Sequence, residues 1–247
     1  STLFPYTTLF RSPYSVNERA PRDYSVEVFE ETETGAFAPV ETIRDPLLVQ
    51  PDSIAAIGPR QFYVANESGA SPGMGQLLER VFRRGLSTVV YYDGEKTRVV
   101  ADSLKGATGL AISNHGLSVF VSDSLGKRLV VYDRDTDTNS LGLRNVIELE
   151  GAPDNVSLDA DGTLWVAAHP KLLALRAHLR DPGVHAPTLV YRLRRSVIEK
   201  EDRLSIPYLN LGDELSAGTA AAVHGDRLLI GSATEAKLLL CRLPPNL

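Results

Sequence analysis

The chain has little of what usually settles a protein's class at a glance. Its only cysteine is Cys241, so no disulfide can close within it and the redox setting of its compartment stays open. No apolar run is long enough to span a bilayer as a helix, so no membrane span is expected. No basic block is present. The 26 Lys and Arg are interspersed with 31 Asp and Glu, the net charge is -5, and a nucleic-acid partner is not expected. No histidines stand at metal-ligand spacing, and His115, His178, His185 and His224 read as loop or surface residues. The N-terminus lacks the basic region and cleavage pattern of a secretory signal. Residues 1–12 (STLFPYTTLFRS) join no pattern and read as a non-native or unstructured segment. Residues 13–247 show no internal linker and read as one domain.

What the chain does have is a motif that returns four times, roughly every fifty residues. The copies are Asp52 to Asn66 (DSIAAIGPRQFYVAN), Thr108 to Asp123 (TGLAISNHGLSVFVSD), Asn155 to His169 (NVSLDADGTLWVAAH) and Thr219 to Ser232 (TAAAVHGDRLLIGS). Each opens on a small polar residue, passes a glycine turn and leaves as an apolar strand. Strands and turns repeating at this period are the mark of β-propeller blades. Outer strands follow at Thr88 to Tyr92, Leu129 to Tyr132, Leu189 to Leu193 and Leu238 to Leu243, and Tyr24 to Glu30 alternates like an orphan outer strand. Asp93-Gly94, Asp161-Gly162 and Gly225-Asp226 supply the turns. Two insertions break the rhythm with helical pattern, Gln76 to Arg84 and Leu172 to Arg180. The second is ended by Asp181-Pro182-Gly183.

In a propeller the inner strands begin around one channel. There the repeats offer Asp52, Thr108, Asp154, Asn155, Ser216 and Thr219. All carry short oxygen donors, which suit a hard cation, calcium above all. Taken singly, Asp and Asn at strand starts are common turn formers. The Pro153-Asp154-Asn155 run in register with Asp52 favours the ion.

The segments STVVYYDGEKTRVVAD and DNVSLDADGTLWVAAHP carry a resemblance to the paraoxonase-type arylesterases and lactonases, relatives of the gluconolactonase group, from about Val16 to Leu243. The resemblance implies an all-β, six-bladed propeller. Of this, four blades and the orphan strand would be present, with about two blades missing before Tyr24. It implies calcium-dependent hydrolysis of a small lactone or aryl ester, with Asp52, Thr108, Asp154 and Asn155 as ligands. Asp52 and Thr108 each replace a usual Asn, and Ser53 replaces an Asp that serves a second calcium in the family. His169 matches a pocket histidine, and Asn66 joins it at the mouth. Glu18 falls where a histidine of the family's catalytic pair would stand. Its carboxylate, His169 and Asp154 are therefore the candidate bases. With ligands and base incomplete, weak calcium affinity and low turnover are expected. A non-catalytic propeller scaffold and a sugar-lactone hydrolase are the other two readings.

Overall fold

The computed structural model describes residues 13–20, 23–68, 85–194 and 204–244. The opening dozen and the amphipathic stretch Gln76 to Arg84 lie outside the described residues. The described residues form five antiparallel meander sheets. The first contains β1 (Tyr14–Ala20), β2 (Asp23–Glu31) and β3 (Phe37–Ile43). The second contains β4 (Pro51–Gly58), β5 (Gln61–Asn66), β6 (Ser87–Tyr92) and β7 (Thr97–Leu104). The third contains β8 (Ala107–Ile112), β9 (Ser118–Asp123), β10 (Arg128–Arg134) and β11 (Leu141–Glu148). The fourth contains β12 (Ala152–Leu158), β13 (Leu164–His169), β14 (Thr188–Leu193) and β15 (Ser205–Asn210). The fifth contains β16 (Gly218–His224), β17 (Arg227–Ser232) and β18 (Leu238–Arg242). One helix, α1 (Leu172–His178), follows β13 and confirms the second helical insertion.

The all-β class holds, but the blade count does not. Five blade-like sheets replace the expected six-bladed arrangement of four blades and an orphan strand. Tyr24 to Glu30 is no orphan, because β2 pairs on one side with β1 and on the other with β3. Val40 to Ile43 belongs to β3, the next strand, which closes the first sheet. The strand was visible by analogy: Tyr14 to Glu18 (YSVNE) repeats Tyr63 to Glu67 (YVANE), the end of β5. The strands read as outer ones, β6, β10 and β14, are third strands. Beyond them run β7, β11 and β15, whose half-exposed residues carry a weaker apolar signal.

The chain forms two compact units. One holds the described residues up to Leu110 together with Asp137–Leu141; the other holds Ala111–Thr136 and the described residues from Gly142 on. In the first unit the core gathers Tyr14, Val26, Ile54, Phe62, Val64 and Tyr92. Phe62 stacks on Tyr92 with ring centroids 4.9 Å apart. In the second unit β13 is buried along its whole length. Its side chains alternate between two cores: Leu164, Val166 and Ala168 enter one, Trp165 and Ala167 the other. A strand covered on both faces reads as a continuous apolar run, which is what LWVAA is. Trp165 is fixed further by its indole N–H, which donates to Asp159 Oδ2 at 2.9 Å. The other oxygen of Asp159 accepts the backbone N–H of Asp161 and Thr163, which shapes the turn. Gly162 completes that turn at φ 77°, a conformation that suits glycine.

Candidate functional site

The first strands of the second, fourth and fifth sheets share an irregularity that the repeat does not display in sequence. Pairing slips between Pro51 and Ser53, between Pro153 and Val156, and between Gly218 and Ala220. Asp52, the Asp154-Asn155 pair and Thr219 sit in those slips. A bulge of this kind frees a residue from the ladder and re-aims its side chain, and bulges concentrate next to functional sites. The small polar residue that opens these three copies is thus held where it cannot simply continue the strand.

In the second unit the fourth sheet brings three expected residues together. His169 ends β13 and is 4% exposed. Its Nε2 lies 3.1 Å from Asp154 Oδ2. A carboxylate in that place accepts a hydrogen bond, so the proton of a neutral imidazole belongs on Nε2. Nδ1 is left as a lone pair, buried and without a hydrogen-bond partner among the described residues. Asn155 commits its amide protons: Nδ2 donates to Thr219 O at 3.0 Å and to Asp154 Oδ1 at 3.3 Å. Its Oδ1 is therefore the group's acceptor. Ser157 Oγ donates to Ala221 O at 2.7 Å, a second tie from β12 to β16 that holds the Asn155 backbone in place.

In the first unit Asp52 and Thr108 lie on β4 and β8, both half-buried and both engaged with neighbours. These strands are tied by Ser53, whose buried Oγ accepts the N–H of Leu110 at 3.0 Å. Ser53 thus does structural work in tying β4 to β8. Asn66 ends β5 in the slot that His169 occupies on β13. It is fully buried; Nδ2 donates to Leu47 O at 2.8 Å and to Thr88 Oγ1 at 3.0 Å, and Oδ1 accepts the N–H of Gln50 at 3.4 Å. Glu18 stands exposed on β1, opposite Tyr24.

Three residues have surroundings that the sequence reading did not give. His178 is not a surface residue but 2% exposed, with both ring nitrogens bonded. Ser216 is buried and donates its hydroxyl to Gly212 O at 2.9 Å, which gives it a loop-building role. Asp123, which the sequence reading passed over, is a fully buried carboxylate paired with Arg128 Nε at 2.7 Å. Its place at the end of a repeat copy, where the others carry Asn66, His169 and Ser232, was the signal that could have found it.

The donors fit a hard cation better than a soft one. In the second unit Asp154 and Asn155 offer carboxylate and carboxamide oxygens, and in the first unit Asp52 and Thr108 offer carboxylate and hydroxyl oxygens. Among the described residues no three His, Cys, Asp or Glu side chains gather as a metal cluster.

Meander sheets with bulged first strands define a protein of the β-propeller class. Its fold is similar to that of the periplasmic gluconolactonase of Pseudomonas aeruginosa, with a TM-score of 0.59 at 13% identity, over 96% of this chain and 64% of that one. The arylesterase family matches residues 13–243, and the chain belongs to that family. It is 31% identical to rat serum paraoxonase/arylesterase 1 over 221 residues, which cover 89% of this chain and 61% of the relative. It is 28% identical to mechanosensory abnormality protein 6 of Caenorhabditis elegans over 237 residues, 93% of this chain and 61% of the relative. The chain thus spans 61% of the length of each of these relatives.

Proposed function

We propose that the protein hydrolyses lactones or aryl esters with calcium as its cofactor. Family membership supports the reaction class, and the paired Asp154 and His169, with Nδ1 unengaged in a buried setting, is the observation that carries it. Asp154 and Asn155, held at the β12 bulge, are the ligands proposed in the second unit, and Asp52 and Thr108, which open copies of the same repeat, are those proposed in the first. When bound, calcium polarises the substrate carbonyl and stabilises the negative charge that develops on its oxygen.

The residues of the chain supply the rest. His169 Nδ1 accepts a proton from water as the water oxygen bonds to the carbonyl carbon. Asp154 Oδ2 holds the Nε2 proton, keeps the ring in that tautomer and offsets the charge the ring acquires. The same proton then passes from Nδ1 to the departing alkoxide or phenoxide as the acyl–oxygen bond breaks. Glu18, by its matched position, is the second candidate base. Asn66 supports the mouth from within its own sheet, since all its polar atoms are taken.

The test is hydrolysis of phenyl acetate, simple γ- and δ-lactones and gluconolactone, with calcium or with chelator. Calcium-dependent turnover that Asp154→Ala and His169→Gln abolish supports the proposal. Turnover indifferent to chelator and to both substitutions defeats it. A non-catalytic scaffold is the second reading, favoured by one relative whose name is not that of an esterase. Absence of turnover on every substrate by a folded, calcium-loaded protein would select it.

A further inference from the structure

Asn155 is held by a sheet to which it does not belong. Its Nδ2 donates to the backbone carbonyl of Thr219 on β16 at 3.0 Å. Two residues on, Ser157 Oγ donates to the carbonyl of Ala221 at 2.7 Å. β16 is an edge strand of the fifth sheet, and alternate carbonyls along the free edge of such a strand have no ladder partner. β12 supplies that partner twice, through side chains. Both strands are bulged at this point, β12 between Pro153 and Val156 and β16 between Gly218 and Ala220.

The start of β16 is itself closely placed. The fully buried Thr188 hydroxyl donates to Leu215 O at 2.7 Å and accepts the N–H of Gly218 at 2.9 Å. A Cβ on Gly218 would overlap the Thr188 methyl. Just before it, Ala217 is buried at φ 51°, a left-handed backbone that a residue with a Cβ adopts only where its surroundings impose it. Its N–H donates to Ala186 O, and its carbonyl accepts the N–H of Ala233.

Such placement bears on Asn155 because a carboxamide has two unlike ends. Turned over, the group would set Oδ1 against the Thr219 carbonyl and the Asp154 carboxylate, both of them acceptors. The position of the Thr219 carbonyl therefore decides which end of Asn155 faces β16. We propose that Ser157 and Thr188 are positioning residues for the calcium site of the proposed reaction, an inference that rests on that reading. Neither is a ligand; both act through Asn155. Thr188 sets the Thr219 carbonyl by holding the Gly218 N–H. Ser157 keeps β12 in step with β16. Together they keep Oδ1, and not Nδ2, available to the ion. A ligand oriented before the ion arrives binds it without first being ordered.

The test is calorimetric titration of calcium into the full chain, wild type and variants, each shown by thermal melting to fold. Ser157→Ala is expected to weaken binding about ten- to a hundredfold, the usual cost of removing a group that orients a metal ligand. Ser157→Thr, which restores the hydroxyl, should bind like the wild type. Ser113→Ala removes a hydroxyl tie in the β8–β9 turn and should leave calcium affinity unchanged even where it lowers the melting temperature. Thr188→Val should weaken binding as Ser157→Ala does; if it does not fold, the Ser157 pair decides. Three results would overturn this inference while leaving the proposed reaction standing: wild-type affinity in Ser157→Ala, no recovery in Ser157→Thr, or equal weakening in Ser113→Ala. No calcium binding by the folded wild type would overturn both.

Discussion

Asn66 and His169 occupy the same slot in two copies of one repeat, each at the end of the second strand of a four-stranded sheet. Both are buried. Asn66 spends every polar atom on bracing Thr88 in its own sheet and Leu47 and Gln50 in the connection before β4. His169 spends one nitrogen on Asp154 and keeps the other unengaged. The backbone solution is shared, and in the proposed reaction the copy that ends at His169 is the one that serves chemistry. A buried polar group whose bonds are complete stabilises a fold. One whose bonds are incomplete is tolerated where something else makes use of it.

The sharpest way to break this contrast is to exchange function for stability at each slot. His169→Gln should lower kcat/KM for phenyl acetate roughly 100- to 10,000-fold, with the melting temperature moving only a few degrees. Asn66→Leu should do the reverse, costing about 3 kcal/mol in urea denaturation because the N–H of Gln50 and the carbonyl of Leu47 lose their partner. If the two substitutions acted alike, the slots would not differ as described. A third copy sharpens the comparison. A Cβ on Gly126 would stand 2.5 Å from Asp123 Oδ2. Gly126→Ala should therefore disturb the buried pair with Arg128 and cost about 2 kcal/mol, measured by thermal melting.

How much of this was legible follows from what each feature writes into the sequence. Apolar alternation and glycine turns mark the inner and second strands, so β4, β8, β12 and β16 and the residues at their starts were visible. The bulges that hold Asp52, Asp154 and Thr219 were not, because register belongs to a pair of strands and not to either one. β1 was hidden by Asn17, Glu18 and Arg19, which interrupt its alternation, although its likeness to β5 was on display. His178 looked like a surface histidine because its partners, Val184 and Thr234, are six and fifty-six residues away. Long-range bonds of that kind leave no periodic trace. The missing tautomer information at His169 has the same origin: only the Asp154 contact assigns it.

The smallest expected effect concerns the first sheet. The Tyr14 hydroxyl donates to Gly58 O at 3.2 Å and also bonds Pro59 O, and burial pushes its pKa up to about 12. Unfolded, it would ionise near 10. The protonated, folded form thus contributes stability that is complete below pH 10 and is lost as pH rises through 12. Tyr14→Phe should flatten the alkaline limb of the stability curve in that window while lowering stability slightly at pH 7.

The claim on which the rest depends is that Asp154 belongs to an ion-binding, reactive corner and not merely to a strand bulge. Calorimetric titration of calcium into the intact chain tests it most directly. A single binding event abolished by Asp154→Ala, and kept when the turn-forming Asp161 is changed to Ala, is the predicted result. Calcium binding unaltered by Asp154→Ala, or no calcium binding by the folded chain, would contradict it.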